Sequence, residues 1–274
     1  MILQLIIGII AGIMAGMFGI GGGIVMVPAL MTLKGFSITQ ANGASLTALM
    51  MPVGILAVIE YKKKNLIDYK VASFMALGLL LGVYFGSRLA LTLPVMLLKQ
   101  IYGIFLLAVF WKFFDFKTIK RKEIILNTVG NNLIENVVDN ESISLLNKMK
   151  KRSSIFYLLP LAIIAGILSG MFGIGGGLVI VPIMITLLKF SAKKAVGTSL
   201  AALLLPVALP GVLTYYYAGQ LEIQSSLIMA LGLILGSFAG AKITISLPSP
   251  FIKRIYAFFI LIIGINFIYT GFNL

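Results

Sequence analysis

The residues that could do chemistry here are few, and the most distinctive of them have no side chain. The run FGIGGG occurs twice: Phe18, Gly19, Ile20, Gly21, Gly22, Gly23, and again Phe172, Gly173, Ile174, Gly175, Gly176, Gly177. Glycine costs about 1 kcal/mol against alanine inside a helix, so four glycines in five positions predict a break in an otherwise apolar helical run. A helix restarting after such a break exposes its first N–H groups, around 22–25 and 176–179, and carries about half a positive charge there. That end can bind an anion with no charged side chain. Hydroxyls come from a second repeated element, Gly43-Ala44-Ser45-Leu46 and Gly197-Thr198-Ser199-Leu200. Ser45, Thr198 and Ser199 read either as caps of a helix starting there or as hydroxyls facing a substrate, and the two roles are compatible.

Other chemistry is excluded by what is missing. The chain has no cysteine and no histidine, which removes disulfides, thiol nucleophiles, His-based triads and the commonest metal ligand. No G-x-x-x-x-G-K-[ST] run is present to bind ATP. An enzyme would need titratable groups within the apolar runs, and away from their edges there are none. The expectation is a non-enzyme with no metal and no cofactor. Asp68 and Glu222 open apolar runs and read as stabilisers of helix N-termini, with proton coupling as the sharper alternative. Arg88 and Lys242 read as snorkelling cations or as an anion-attracting vestibule. Gln4 and Asn266 read as hydrogen-bonding to neighbouring helices.

The elements that must position these groups are membrane helices. Hydrophobic residues make up 60% of the 274, charged residues 11%, and mean hydropathy is +1.09. Soluble domains run near 45–50% and about 25%. Apolar runs cover about 2–33, 45–60, 66–93, 95–114, 155–188, 198–218, 221–247 and 250–272, each long enough for a span of about 20 residues. The first run lacks the basic start and polar sequel of a signal peptide. Segment 112–153 alone reads as soluble, with nine Lys/Arg and five Asp/Glu. It is expected to be a charged cytoplasmic linker between transmembrane units 1–111 and 154–274. The net charge of +14 sits mostly at the edges of runs, with no basic face interleaved with aromatics, so nucleic acid is not an expected partner.

The two units are copies. At an offset of 154, AGIMAGMFGIGGGIVMVPALMT lies over AGILSGMFGIGGGLVIVPIMIT with 15 of 22 positions identical. The offset also pairs Tyr61 with Tyr215, Asp68 with Glu222, and Gly78, Gly82, Gly86 with Gly232, Gly236, Gly240. A duplicated membrane unit points to a transporter with its site at the repeat interface. The pieces around each glycine break, about 3–17 and 24–33, are shorter than a hydrocarbon core of ~30 Å and fit a re-entrant hairpin. With such hairpins the cytoplasmic side carries ten Lys/Arg against three outside, both termini lie outside, and the copies are inverted. The expected fold is an all-α polytopic membrane protein of two inverted repeats, each a glycine-broken hairpin plus three transmembrane helices. Gly12, Gly16, Gly166, Gly170 and the 78/82/86 and 232/236/240 series have four-residue spacing, the small-residue face of close helix packing.

The paired MFGIGGG…VP segments, each followed by the G-[AT]-S-L element, resemble the sulfite exporter TauE/SafE family, also called the toluene sulfonate uptake permeases. The similarity covers nearly the whole chain except the linker. The resemblance implies a multi-pass carrier of the cell membrane for small sulfur-containing anions such as sulfite, thiosulfate or organosulfonates. The candidate substrate site read from the breaks and the hydroxyl element is Phe18, Gly19, Gly21, Gly22, Gly23 and Ser45, with Phe172, Gly173, Gly175, Gly176, Gly177, Thr198 and Ser199. Ala44, where the other copy has Thr198, and the long linker depart from a symmetrical pattern. A carrier or channel for another anion, such as a carboxylate, and a scaffold acting through the linker stay open as alternatives. The expected partners are a small anion and the lipid bilayer, and a homo-oligomer is compatible with both.

Overall fold

The computed structural model describes residues 1–114, 158–247, 258, 261–265, 267 and 269. The linker beyond 114, Lys253, Asn266 and much of the expected last span, 250–272, lie outside them. Helix α1 (Ile2–Phe18) ends where Gly19 turns left-handed, at φ 71°, and returns its N–H to the Ala15 carbonyl. A glycine in that conformation is a common helix stop. Helix α2 (Gly23–Lys34) restarts after the break. Helix α3 (Ile38–Met50) is opened by a reciprocal box in which Ser37 takes the Gln40 N–H and the Gln40 side chain takes the Ser37 N–H. Pro52 then forces Met51 into an extended conformation, and the chain resumes as α4 (Ile55–Lys63), bent 50° from α3. Asp68 opens α5 (Tyr69–Thr92), accepting from the Val71 N–H at 3.4 Å, and α6 (Val95–Phe114) follows Pro94.

The second copy repeats this as α7 (Leu158–Phe172), α8 (Gly177–Leu187), α9 (Ala192–Leu203), α10 (Leu209–Tyr217) and α11 (Ile223–Ser246). The result is an all-helical membrane protein, with no strand among the described residues. By length and apolarity α5 and α11 can each cross a membrane alone, and the bent α3–α4 pair is a third candidate.

Two expectations need correction. The helices carrying Ser45, Thr198 and Ser199 do not start at the G-[AT]-S-L element; they start at Ile38 and Ala192. The caps are Ser37 and Ser191, so the three hydroxyl residues lie inside helices and cap nothing. Polar residues 37–42 look like loop in sequence, but the capping box holds them in a helical turn. Glu222 does stand at the N-terminus of α11, where its charge was expected, but its carboxylate accepts from Ser225 Oγ at 3.3 Å and not from a backbone N–H.

The glycine faces join helices from different halves. Helix α1 runs along α11, and α5 along α7. A Cβ placed on Gly12 would lie 2.6 Å from the Leu233 carbonyl oxygen, and one on Gly82 would lie 2.7 Å from Gly166 Cα. Such backbone-to-backbone approach is what small residues at four-residue spacing permit. At one end Gln4 Nε2 donates to Ser225 Oγ at 2.7 Å, tying the starts of α1 and α11. Elsewhere the neighbours Lys193 and Lys194 reach the Ile245 carbonyl (2.7 Å) and the Asp68 carboxylate (3.4 Å), so the end of α11 and the start of α5 share one corner.

Candidate functional site

Each glycine break holds three left-handed residues: Gly19, Gly21 and Gly22 at φ 71°, 80° and 87°, and Gly173, Gly175 and Gly176 at 66°, 77° and 76°. Only glycine adopts that conformation cheaply. The two breaks also cross each other. A Cβ on Gly23 would meet the Gly173 carbonyl, and one on Gly177 would meet the Gly19 carbonyl. A Cβ on Gly175 would lie 3.5 Å from the Ile20 carbonyl oxygen and 3.6 Å from Gly21 Cα. The fold therefore brings together two segments more than 150 residues apart in the chain, as their repetition led one to expect.

Around this crossing the polar groups are sorted by sign. The helices entering the breaks, α1 and α7, end in carbonyls without helical partners. Side-chain donors cover them. Tyr61 Oη donates to the Gly16 carbonyl (3.0 Å), Thr244 Oγ1 to Met17 (3.0 Å) and Ser199 Oγ to Gly19 (2.8 Å). In the other half Tyr215 Oη donates to Gly170 (2.9 Å), Asn42 Nδ2 to Met171 (2.6 Å) and Ser45 Oγ to Gly173 (2.6 Å). Ser45 and Ser199 thus each pin the other half's break, with their protons engaged there. Thr198 Oγ1 accepts the Asp68 N–H at 3.0 Å. Phe172 stacks on Tyr102 with ring centroids 4.5 Å apart, and Phe18 is buried.

The opposite ends are left open. Gly22 and Gly176 precede α2 and α8 with no side-chain cap, and neither first turn contains an acidic residue. Ser37, Asp68 and Ser191 do cap their helices. The crossing therefore has quenched negative helix ends and unquenched positive ones, in a buried setting where dipoles act strongly. A pocket lined by Ala15, Gly21, Leu49, Val53, Gly54, Leu200, Leu203, Leu233 and Ser237 opens beside the first break and draws walls from both halves. Ser237 Oγ there donates to the Val53 carbonyl at 2.9 Å, just past Pro52. Among the described residues no three His, Cys, Asp or Glu side chains are grouped to hold a metal.

Sequence reasoning placed the breaks but missed Asn42, Thr244 and Ser237. Their repeat partners are Val196, Ala90 and Val83, so the duplication carries no trace of them. Tyr61 and Tyr215 were available as a matched pair, though nothing in the pairing indicated their acceptors.

The pins give a direct expectation. Ser45→Ala or Ser199→Ala removes the donor to a buried carbonyl and should destabilise the protein by about 1–3 kcal/mol, read as a lower melting temperature in detergent. Melting unchanged in both variants would mean that these carbonyls do not depend on the serines.

Comparison with known proteins falls on the same span. The family described as Sulfite exporter TauE/SafE matches residues 4–267. A probable membrane transporter protein of Bacillus subtilis, YunE, is 27% identical over 279 residues, covering 98% of each chain. A probable membrane transporter protein of Methanocaldococcus jannaschii is 28% identical over 256 residues, covering 88% of this chain and 85% of the relative. No solved structure matches the chain.

Proposed function

Because the chain belongs to the sulfite exporter TauE/SafE family, a family of membrane transporters, we propose that it exports a small sulfur-containing anion by alternating access around the crossed glycine breaks. Sulfite, thiosulfate and small organosulfonates are the candidates. The observation that carries the reading is the sorting of helix ends: six side-chain donors cover the carbonyls entering the breaks, while the N-termini leaving them at Gly22 and Gly176 are uncapped. Discontinuous helices that point such ends at a substrate are a recurring device of secondary transporters. Backbone donors also suit a carrier, because a buried Lys or Arg would be costly and would hold the anion too tightly to release it.

In this reading the halves are inverted repeats in a multi-pass protein of the cell membrane, with both termini outside. The ten-to-three distribution of Lys and Arg supports the orientation. The corner at Lys193 and Lys194 supports the inversion. It joins the start of α5 to the end of its repeat-mate α11, as antiparallel counterparts require.

The test is a melting and flux panel on purified protein. Sulfite, thiosulfate, sulfoacetate and taurine should include at least one ligand that raises the melting temperature, since a binder of the folded state stabilises it by mass action. The same anion should exchange across proteoliposomes, and Na⁺ or K⁺ alone should not. Transport of a neutral or cationic solute, indifferent to all of these anions, would reject the reading.

A further inference from the structure

Two buried side-chain polar atoms lack a hydrogen-bond partner among the described residues: Tyr102 Oη, on the ring stacked against Phe172, and Asn42 Oδ1. Asn42 is fully buried, and its amide orientation follows from its neighbour. The Met171 carbonyl can only accept, so the NH2 must face it, at 2.6 Å, and the oxygen must turn away. Residue 42 lies on the second break itself. A Cβ on Gly173 would lie 2.9 Å from Asn42 Cα, and the Gly173 carbonyl takes the Ser45 proton and abuts Gly23 at the start of α2. The residue that carries the unmatched acceptor therefore adjoins the crossing where the uncapped helix start of the first repeat meets the break of the second.

Covering the Met171 carbonyl uses only the NH2 of this amide and leaves its oxygen without a duty. The repeat counterpart is Val196, so at that place in the other half no side-chain acceptor is needed for packing. The counterpart carbonyl, Met17, is capped by Thr244 from another helix, so a hydroxyl suffices for that duty. What Asn42 adds is a lone acceptor, and a buried acceptor calls for a donor to complete it.

We propose that Asn42 Oδ1 receives a hydrogen bond from the transported anion. The site then selects anions that carry an O–H or N–H donor, such as a protonated oxyanion or a sulfonate with a hydroxyl or ammonium group, over donor-free anions of the same charge and shape. This rests on the crossing being the anion site. In the transport cycle the backbone N–H groups read the negative charge and Asn42 reads the proton.

The probes are methanesulfonate and methylphosphonate at mildly acidic pH, where both are monoanions of one shape and only the phosphonate has an O–H to donate. Wild type should bind the phosphonate about tenfold more tightly, the scale of one good hydrogen bond. Asn42→Val should bring the two affinities within about twofold of each other while methanesulfonate affinity is kept. Equal affinities in wild type overturn the proposal and leave the anion site standing, and this comparison decides even if the variant does not fold. A preference that survives in Asn42→Val also overturns it. If wild type binds neither probe nor any anion of the panel above, the anion site itself fails, and the proposal with it.

Discussion

Gly82→Ala and Gly236→Ala should each leave little folded protein. A Cβ on Gly82 would meet the Ile163 carbonyl and lie 2.7 Å from both Gly166 Cα and Ile167 N. On Gly236 it would meet the Ile9 carbonyl and lie 2.8 Å from Ile13 N. Every one of these neighbours is backbone, so no rotamer change can relieve the crowding and the two helices must part. Parting them loosens contacts along the whole length of the seam, where the lipid-soluble alternative has no hydrophobic penalty to restore them. Overpacking a core by a methyl group costs about 1–3 kcal/mol when side chains can adjust, and these sites should exceed that. Leu77→Ala on the same helix, at a residue 59% exposed, is the comparison and should purify normally. The measurement is the yield of monodisperse protein and its melting temperature. Wild-type values for either glycine variant would refute the close packing of α1 with α11 and of α5 with α7.

Gly22→Ala and Gly176→Ala should instead purify and weaken anion binding by at least about tenfold, one to two good charge-assisted hydrogen bonds' worth. Their cost has two parts. A left-handed conformation disfavours alanine by roughly 1–2 kcal/mol. The new Cβ also meets a side-chain end, Leu233 Cδ2 at 2.7 Å for Gly22 and Leu79 Cδ2 for Gly176. Gly22 has a backbone neighbour too, the Ala11 carbonyl oxygen at 2.9 Å, which makes Gly176→Ala the cleaner variant. Strain alone is controlled by Gly35→Ala and Gly219→Ala, at φ 68° and 69° with nothing within 4 Å of a Cβ. The repeat counterparts of these two glycines, Lys189 and Asn65, are themselves left-handed at φ 55° and 53°, so a side chain is tolerated there. The controls should bind as wild type does. Affinity unchanged in Gly22→Ala and Gly176→Ala as well would place the site elsewhere.

Local rules carried the sequence reading a long way. Four glycines in five positions could not stay helical, so the ends of α1 and the start of α2 fell within a residue or two of expectation. Asp68 capped α5 as its position ahead of an apolar run suggested. Four-residue glycine spacing indicated a packed face, but not which helix it met, because a smooth face fits any other smooth face. The partner was set by topology, and each seam turned out to join different halves. The hydroxyls show the opposite limit. Ser45 and Ser199 look like caps because a glycine precedes them, yet the real caps lie eight residues earlier and the serines serve carbonyls of the other repeat. Asn42 was illegible for a further reason: its partner is a main-chain carbonyl, which leaves no mark in sequence.

The seams also fix an order of construction. Gly8 on α1 lies against Met229, and Gly82 on α5 lies against Gly166 of α7. The ribosome delivers α1 more than 200 residues before α11, so its glycine face has no seam partner until α11 follows. The seam of α1 therefore closes only once α11 has been made. Neither half can finish on its own. A chain interrupted before α11 leaves the glycine face of α1 without the helix that covers it.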